Sequence, residues 1–117
     1  MNAKIKAGKG FQRQAKKLIK KFPSLKSELR ELESNLQETP ELGTPLGQNA
    51  FKVRLKIQSK GKGKSGGARV ITYVETILSI DETTVTLLAI YDKSETATIT
   101  NKELSALIKN FWNGTQI

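Results

Sequence analysis

The hydrophobic period of this chain changes once, near residue 50, and that change limits the fold more than any other feature. Before it, Phe11, Ala15, Leu18, Ile19 and Phe22 recur at helical spacing, with Arg13, Lys16, Lys17, Lys20 and Lys21 between them. Pro23 ends that helix, and Ser24 is placed to cap a second one whose face is Leu25, Leu29, Leu32 and Leu36. So short a connection predicts an antiparallel helix hairpin, and neither helix is long enough to stand without packing its stripe onto something. After a turn-rich loop over 38–49, Phe51, Val53, Leu55 and Ile57 alternate with Lys52, Arg54, Lys56 and Gln58, the two-residue repeat of a half-buried strand.

More strands are predicted beyond it. Residues 69–78 are rich in β-branched and aromatic types, Asp81-Glu82 marks a turn, and the apolar run 85–91 suits a central strand. Shorter strands are expected at Lys4-Ile5-Lys6 and around 97–100. Thr100-Asn101-Lys102-Glu103 fits a capping box, opening a last helix with Leu104, Leu107, Ile108 and Phe111 on one face. The expected architecture is α+β: an N-terminal helix hairpin packed on a twisted antiparallel β-sheet, with a C-terminal helix, in one domain over 1–117.

Composition removes several chemistries. The chain has 117 residues with no histidine and no cysteine. Ser-His triads, cysteine nucleophiles and the usual zinc sites are excluded, leaving Lys, Arg, Tyr, Ser/Thr, Asp and Glu for any catalysis. No metal or other cofactor is expected. No apolar run approaches the roughly 20 residues of a membrane span, and the N-terminus lacks the apolar stretch of a signal peptide. A cytoplasmic protein with no membrane partner is expected.

Charge narrows the field further. The net charge is +9, and it is segregated. Residues 1–26 hold nine Lys/Arg and no acid, residues 51–70 hold seven more and no acid, and 27–42 hold five glutamates against one arginine. Such segregation points to a polyanion, with nucleic acid foremost.

Residues 51–58 are the most informative segment. The pleat sends Lys52, Arg54 and Lys56 to one face at about 6.6 Å intervals, close to the phosphate spacing of an extended RNA strand. A row of cations on a rigid sheet can grip a backbone and stabilise charge on a phosphate in transition. An ordinary exposed sheet face is the plainer reading. The loop Ser59-Lys60-Gly61-Lys62-Gly63-Lys64-Ser65-Gly66-Gly67 reads as a flexible basic arm. Its Gly63-Lys64-Ser65 ends like a phosphate-binding loop, but Gln58 stands where that motif needs glycine, and strands flank it. Nucleotide hydrolysis is rejected. Arg69, after the glycines, could offer its planar fork to a scissile phosphate, or pair with Glu75 or Asp92. Lys93 follows the apolar strand, where functional residues often collect.

These segments together resemble the RelE/ParE superfamily of toxins, particularly its HigB-like branch. Phe11-x-x-x-Ala15-Lys16-Lys17-Leu18-x-Lys20-Lys21-Phe22-Pro23 is similar to the family's first helix. Phe51-Lys52-Val53-Arg54-Leu55, Gly63-Lys64-Ser65-Gly66-Gly67-Ala68-Arg69-Val70-Ile71 and residues 87–95, containing Tyr91-Asp92-Lys93, are similar to its strands, in the same order. The resemblance implies a ribosome-dependent, metal-independent mRNA endonuclease that inhibits translation, with a cognate antitoxin, the ribosome and mRNA as partners. It implies Lys52, Arg54, Arg69 and Lys93 as the catalytic cations. Lys16, Lys20, Lys56, Lys60, Lys62 and Lys64 are expected to bind RNA or ribosome.

The family often carries a tyrosine six residues past the position of Lys93, near the reacting 2′-hydroxyl. Here that residue is Ile99. The general base is left unassigned, with Lys52 the first candidate for acid or base and Tyr91 and Asp92 behind it. Three rival readings share the sequence: a ParE-like gyrase inhibitor, a non-catalytic nucleic-acid-binding module, and an inactive relative that binds its antitoxin.

Overall fold

The computed structural model describes residues 3–60, 67–94 and 98–114. Its elements run β1 (Lys4–Ala7), α1 (Lys9–Lys21), α2 (Leu25–Glu38), β2 (Thr44–Gly47), β3 (Ala50–Leu55), β4 (Ala68–Ile77), β5 (Glu82–Asp92) and α3 (Asn101–Gly114). The fold is α+β, with three α-helices and a five-stranded sheet among the described residues. Strand order is β1-β5-β4-β3-β2. No helix among the described residues is long and apolar enough to cross a membrane.

The sheet is mixed, which corrects the antiparallel expectation. β1 runs parallel to β5, with Lys4 beside Thr84 and Ala7 beside Leu87, while the other pairs are antiparallel. Two helices intervene between β1 and the strands that follow, so the chain re-enters the sheet from a direction that no local pattern encodes. A second correction concerns residues 38–49, read as loop throughout. Thr44–Gly47 forms the edge strand β2, which pairs only with the first part of β3. Pro45 is tolerated because the strand is an edge. The short strand expected around 97–100 is not a strand over 98–100, and Ala97 lies outside the described residues.

The sheet separates two apolar layers. On one face Val53, Val70, Val74, Val85 and Ile90 meet Phe11 and Ala15 of α1 and Leu25, Leu32 and Leu36 of α2. Leu25 and Leu36 are fully buried, so truncating either to alanine would cost about 2–5 kcal/mol. On the other face Ala50, Ile71, Leu88 and Ala89 pack with Leu104 of α3. A β-bulge supports this division: between Ile71 and Thr72 the partner jumps from Ala89 to Leu87, leaving Leu88 as the extra residue. Leu88 and Ala89 thereby both serve the α3 layer.

Ser24 precedes α2 but does not cap it with its side chain. Its backbone is already helical, whereas a side-chain cap needs extended backbone. Its hydroxyl is engaged elsewhere: it receives the Ser59 amide at 2.9 Å and lies 2.8 Å from the Ser59 hydroxyl. Glu28 of α2 accepts the Gln58 amide at 2.7 Å. The hairpin turn therefore anchors the chain just after β3. At the opposite end the predicted capping box is present. The Thr100 amide donates to Glu103 at 2.9 Å, and the Glu103 amide donates to the Thr100 hydroxyl at 3.1 Å.

Candidate functional site

Three adjacent strands place one polar side chain each on a single rung. Arg54 of β3 lies opposite Arg69 of β4, and Arg69 lies opposite Tyr91 of β5. Direct cross-strand partners share a face, so the three stand side by side on the α3 side of the sheet, within about 10 Å. Like charges directly opposite each other oppose strand pairing. Arg54–Arg69 is such a pair, in a sheet with abundant apolar alternatives.

Arg54 is exposed, whereas Arg69 is only 4% exposed and donates from one terminal nitrogen to the Ala68 carbonyl at 3.1 Å. A guanidinium held this way is oriented before any ligand arrives. Lys52 is one step along the same face, half-buried opposite Ile71. β2 pairs no further than Lys52, so β3 has no outer partner strand at Arg54 among the described residues. The rung thus opens onto the sheet edge.

Tyr91 completes the constellation. Burial pushes its phenol above the ordinary value of 10.0, Glu103 adds to that, and the Arg69 guanidinium and a backbone hydrogen bond with Ile99 oppose it. The net effect keeps Tyr91 a neutral phenol, able to donate a proton, around neutral pH. The phenol is near Arg69 on one side and Glu103, at the α3 N-terminus, on the other. Glu103 is pulled below the ordinary 4.5, first by the Thr100 amide and then by the Thr100 hydroxyl.

The far foot of the basic loop closes the site. The Lys93 amide donates to the Gly67 carbonyl at 3.1 Å, placing exposed Lys93 two residues beyond Tyr91. Gly67 has φ +50°, and a Cβ there would run into the Leu55 carbonyl oxygen. Only glycine allows the chain to enter β4 so close to the end of β3.

Of the expected catalytic cations, Lys52, Arg54 and Arg69 come together on one face, with Lys93 at its margin. The wider binding set divides. Lys56 falls beyond the last paired residue of β3 and lines a cleft of about 300 Å³ with Glu28 and Glu31 of α2. Lys16 and Lys20 lie on α1, in the layer on the opposite side of the sheet, and do not join the rung. Lys62, Lys64 and the side chain of Lys60 lie outside the described residues. Of the two pairings raised for Arg69, Glu75 is excluded, since it lies six residues along the same strand, roughly 20 Å away.

Tyr91, placed behind Lys52 as an acid or base from the sequence, is the residue that the register sets beside Arg69. Its only local signal is a polar-tipped aromatic closing an otherwise apolar strand. Its value comes from register with Arg69, which local pattern does not specify. The chain matches no protein-family model and no curated protein, so residues and geometry carry the functional reading by themselves.

Proposed function

We propose that the protein is a metal-independent endoribonuclease of the RelE/ParE type, a cytoplasmic toxin that cuts mRNA in the ribosome and is held silent by an antitoxin. The observation that carries this reading is the Arg54–Arg69–Tyr91 rung: two guanidiniums and a neutral phenol, on a rigid sheet, open at an edge. Guanidinium forks match the non-bridging oxygens of a phosphodiester and stabilise the charge that grows there in the transition state.

Cleavage then needs only alignment and two proton transfers. The 2′-oxygen attacks phosphorus as its proton passes to a water at the open edge of the rung, with the Lys52 ammonium on the same face adding positive charge. The bond from phosphorus to the 5′-oxygen breaks, and Tyr91 protonates the leaving oxygen. A 2′,3′-cyclic phosphate and a free 5′-hydroxyl result. Lys93 adds charge from the margin.

Ile99 occupies the position where the family often has tyrosine, and its backbone meets the Tyr91 phenol. In this reading the phenol comes from β5 instead. The test is to add purified protein to a bacterial translation extract and map new mRNA 5′ ends, with naked mRNA alongside. Cuts confined to translated message support the proposal. A folded Arg69→Ala protein that cuts normally removes the site assignment. Growth arrest without cuts favours a gyrase inhibitor.

A further inference from the structure

A second basic surface lies on the far side of the sheet. α1 carries six cations and no acid. Two of them, Lys16 and Lys20, form one wall of a groove between α1 and α2, and Lys26 and Arg30 of α2 form the other. α2 holds four glutamates, yet only Glu33 reaches this groove, while Glu28 and Glu31 line the cleft beside β3. Each wall therefore places two cations four residues apart, an arrangement that weakens a helix unless something anionic lies against it.

The floor differs from the sheet site. Phe11, Ala15 and Ile19 form a stripe at four-residue intervals along α1, and Leu29 meets them from α2, in a groove of about 530 Å³. Ile19 and Leu29 are only partly buried. A nucleic-acid backbone gains nothing from such a floor. A lipid surface fits no better, because membrane binding needs apolar residues that protrude, and here they sit below a charged rim. An apolar stripe flanked by negative charge does match it.

From this pairing of apolar floor and cationic rim we propose that the α1–α2 groove docks an acidic amphipathic helix of a partner protein, its apolar face on the partly buried Ile19 and Leu29, above the buried Phe11 and Ala15, and its carboxylates on the four rim cations. The occupant is not a helix of a second copy. Among the described residues α2 is the only helix rich in acid, and its Leu25, Leu32 and Leu36 are buried in the core, while α1 has no acid and α3 packs its apolar face on the sheet. The groove and the Arg54–Arg69–Tyr91 rung lie on opposite sides of the sheet, so this proposal stands or falls apart from the nuclease reading.

The probe is a fluorescent helical peptide with leucines at i, i+4, i+7 and i+11 and glutamates elsewhere, titrated with the full chain and read by anisotropy. A leucine-to-serine peptide of equal charge and polyglutamate serve as comparisons. The leucine peptide should bind at least about tenfold tighter than either. Lys16→Glu/Arg30→Glu should weaken it at least about tenfold, whereas Lys9→Glu/Lys17→Glu, an equal charge change off the groove, should weaken it far less. Ile19→Ser should weaken it too, and Arg54→Ala should not. Melting curves check that each variant folds. Any of four results overturns the proposal: no binding by the leucine peptide, equal binding of the serine peptide, equal loss from the two double variants, or self-association through the groove that ends on substituting Ile77, Leu78 and Ile80, the exposed aliphatics of the β4–β5 tip among the described residues.

Discussion

The two basic surfaces of this protein carry the same kind of charge on different floors. On the sheet, Arg54 and Arg69 stand on adjacent strands with a phenol beside them, and their spacing follows from strand register. On the helix hairpin, Lys16, Lys20, Lys26 and Arg30 ring an apolar groove. Positive charge attracts any polyanion from a distance, but what lies under the charge decides what stays. Polar groups at fixed spacing suit a phosphodiester. An apolar trough with a charged rim suits a polypeptide.

The sharpest way to break this comparison is Arg69→Ala. It should reduce mRNA cutting by about 10²–10³-fold, measured by primer extension on translated message, and leave binding of the acidic peptide to the groove unchanged. Loss at both surfaces would mean that they are one continuous polyanion field.

A smaller effect is expected from Tyr91→Phe, which keeps the ring and removes the donor. Cutting should fall by about 10²-fold if the phenol supplies the leaving-group proton, again with no change at the groove. The same variant tests the titration. A phenol whose value is raised on folding stabilises the protein below the ordinary 10.0, and that contribution is lost as pH rises through the higher folded value. The wild type should therefore lose more stability than Tyr91→Phe in chemical denaturation as pH rises above about 10.

Gly67→Ala addresses the loop foot. With positive φ and the Leu55 carbonyl in the way, it should cost about 1–3 kcal/mol in urea denaturation and shift Lys93 and Arg69 together. Cutting should drop, and peptide binding by the folded fraction should persist. Thr100→Ala is the mildest change. Losing the capping hydroxyl should cost about 1 kcal/mol and loosen the α3 N-terminus beside Tyr91, with a small loss of cutting. In the wild type, the contribution of the Glu103 carboxylate is present above its ordinary 4.5 and lost as pH falls through its lower folded value. A stability difference between the two proteins should thus narrow in acid.

The residues that read correctly from sequence are those whose position is set by their neighbours along the chain. The stripe on α1, the leucines of α2, the alternation of β3 and the Thr100–Glu103 box each depend on interactions within a few residues, so period and end signals reveal them. Where a local signal met a competing partner it misled. Ser24 sits where a cap belongs, but Ser59, 35 residues away, takes its hydroxyl.

The division of the cations was not legible in this way. Lys16, Lys20 and Lys56 look like Lys52 and Arg54 in composition, and only the packing of the hairpin on one face and α3 on the other separates them. Sequence alone determined that this chain has three short helices, a set of strands, a surplus of positive charge and no histidine or cysteine chemistry. Tertiary structure decided that β1 joins β5 in parallel, that Arg54, Arg69 and Tyr91 fall on one rung, and that Lys16, Lys20 and Lys56 lie away from it. The reason is physical: register between strands far apart in the chain is set by how the apolar faces pack, and a single-residue slip would move each of these side chains to the other side of the sheet.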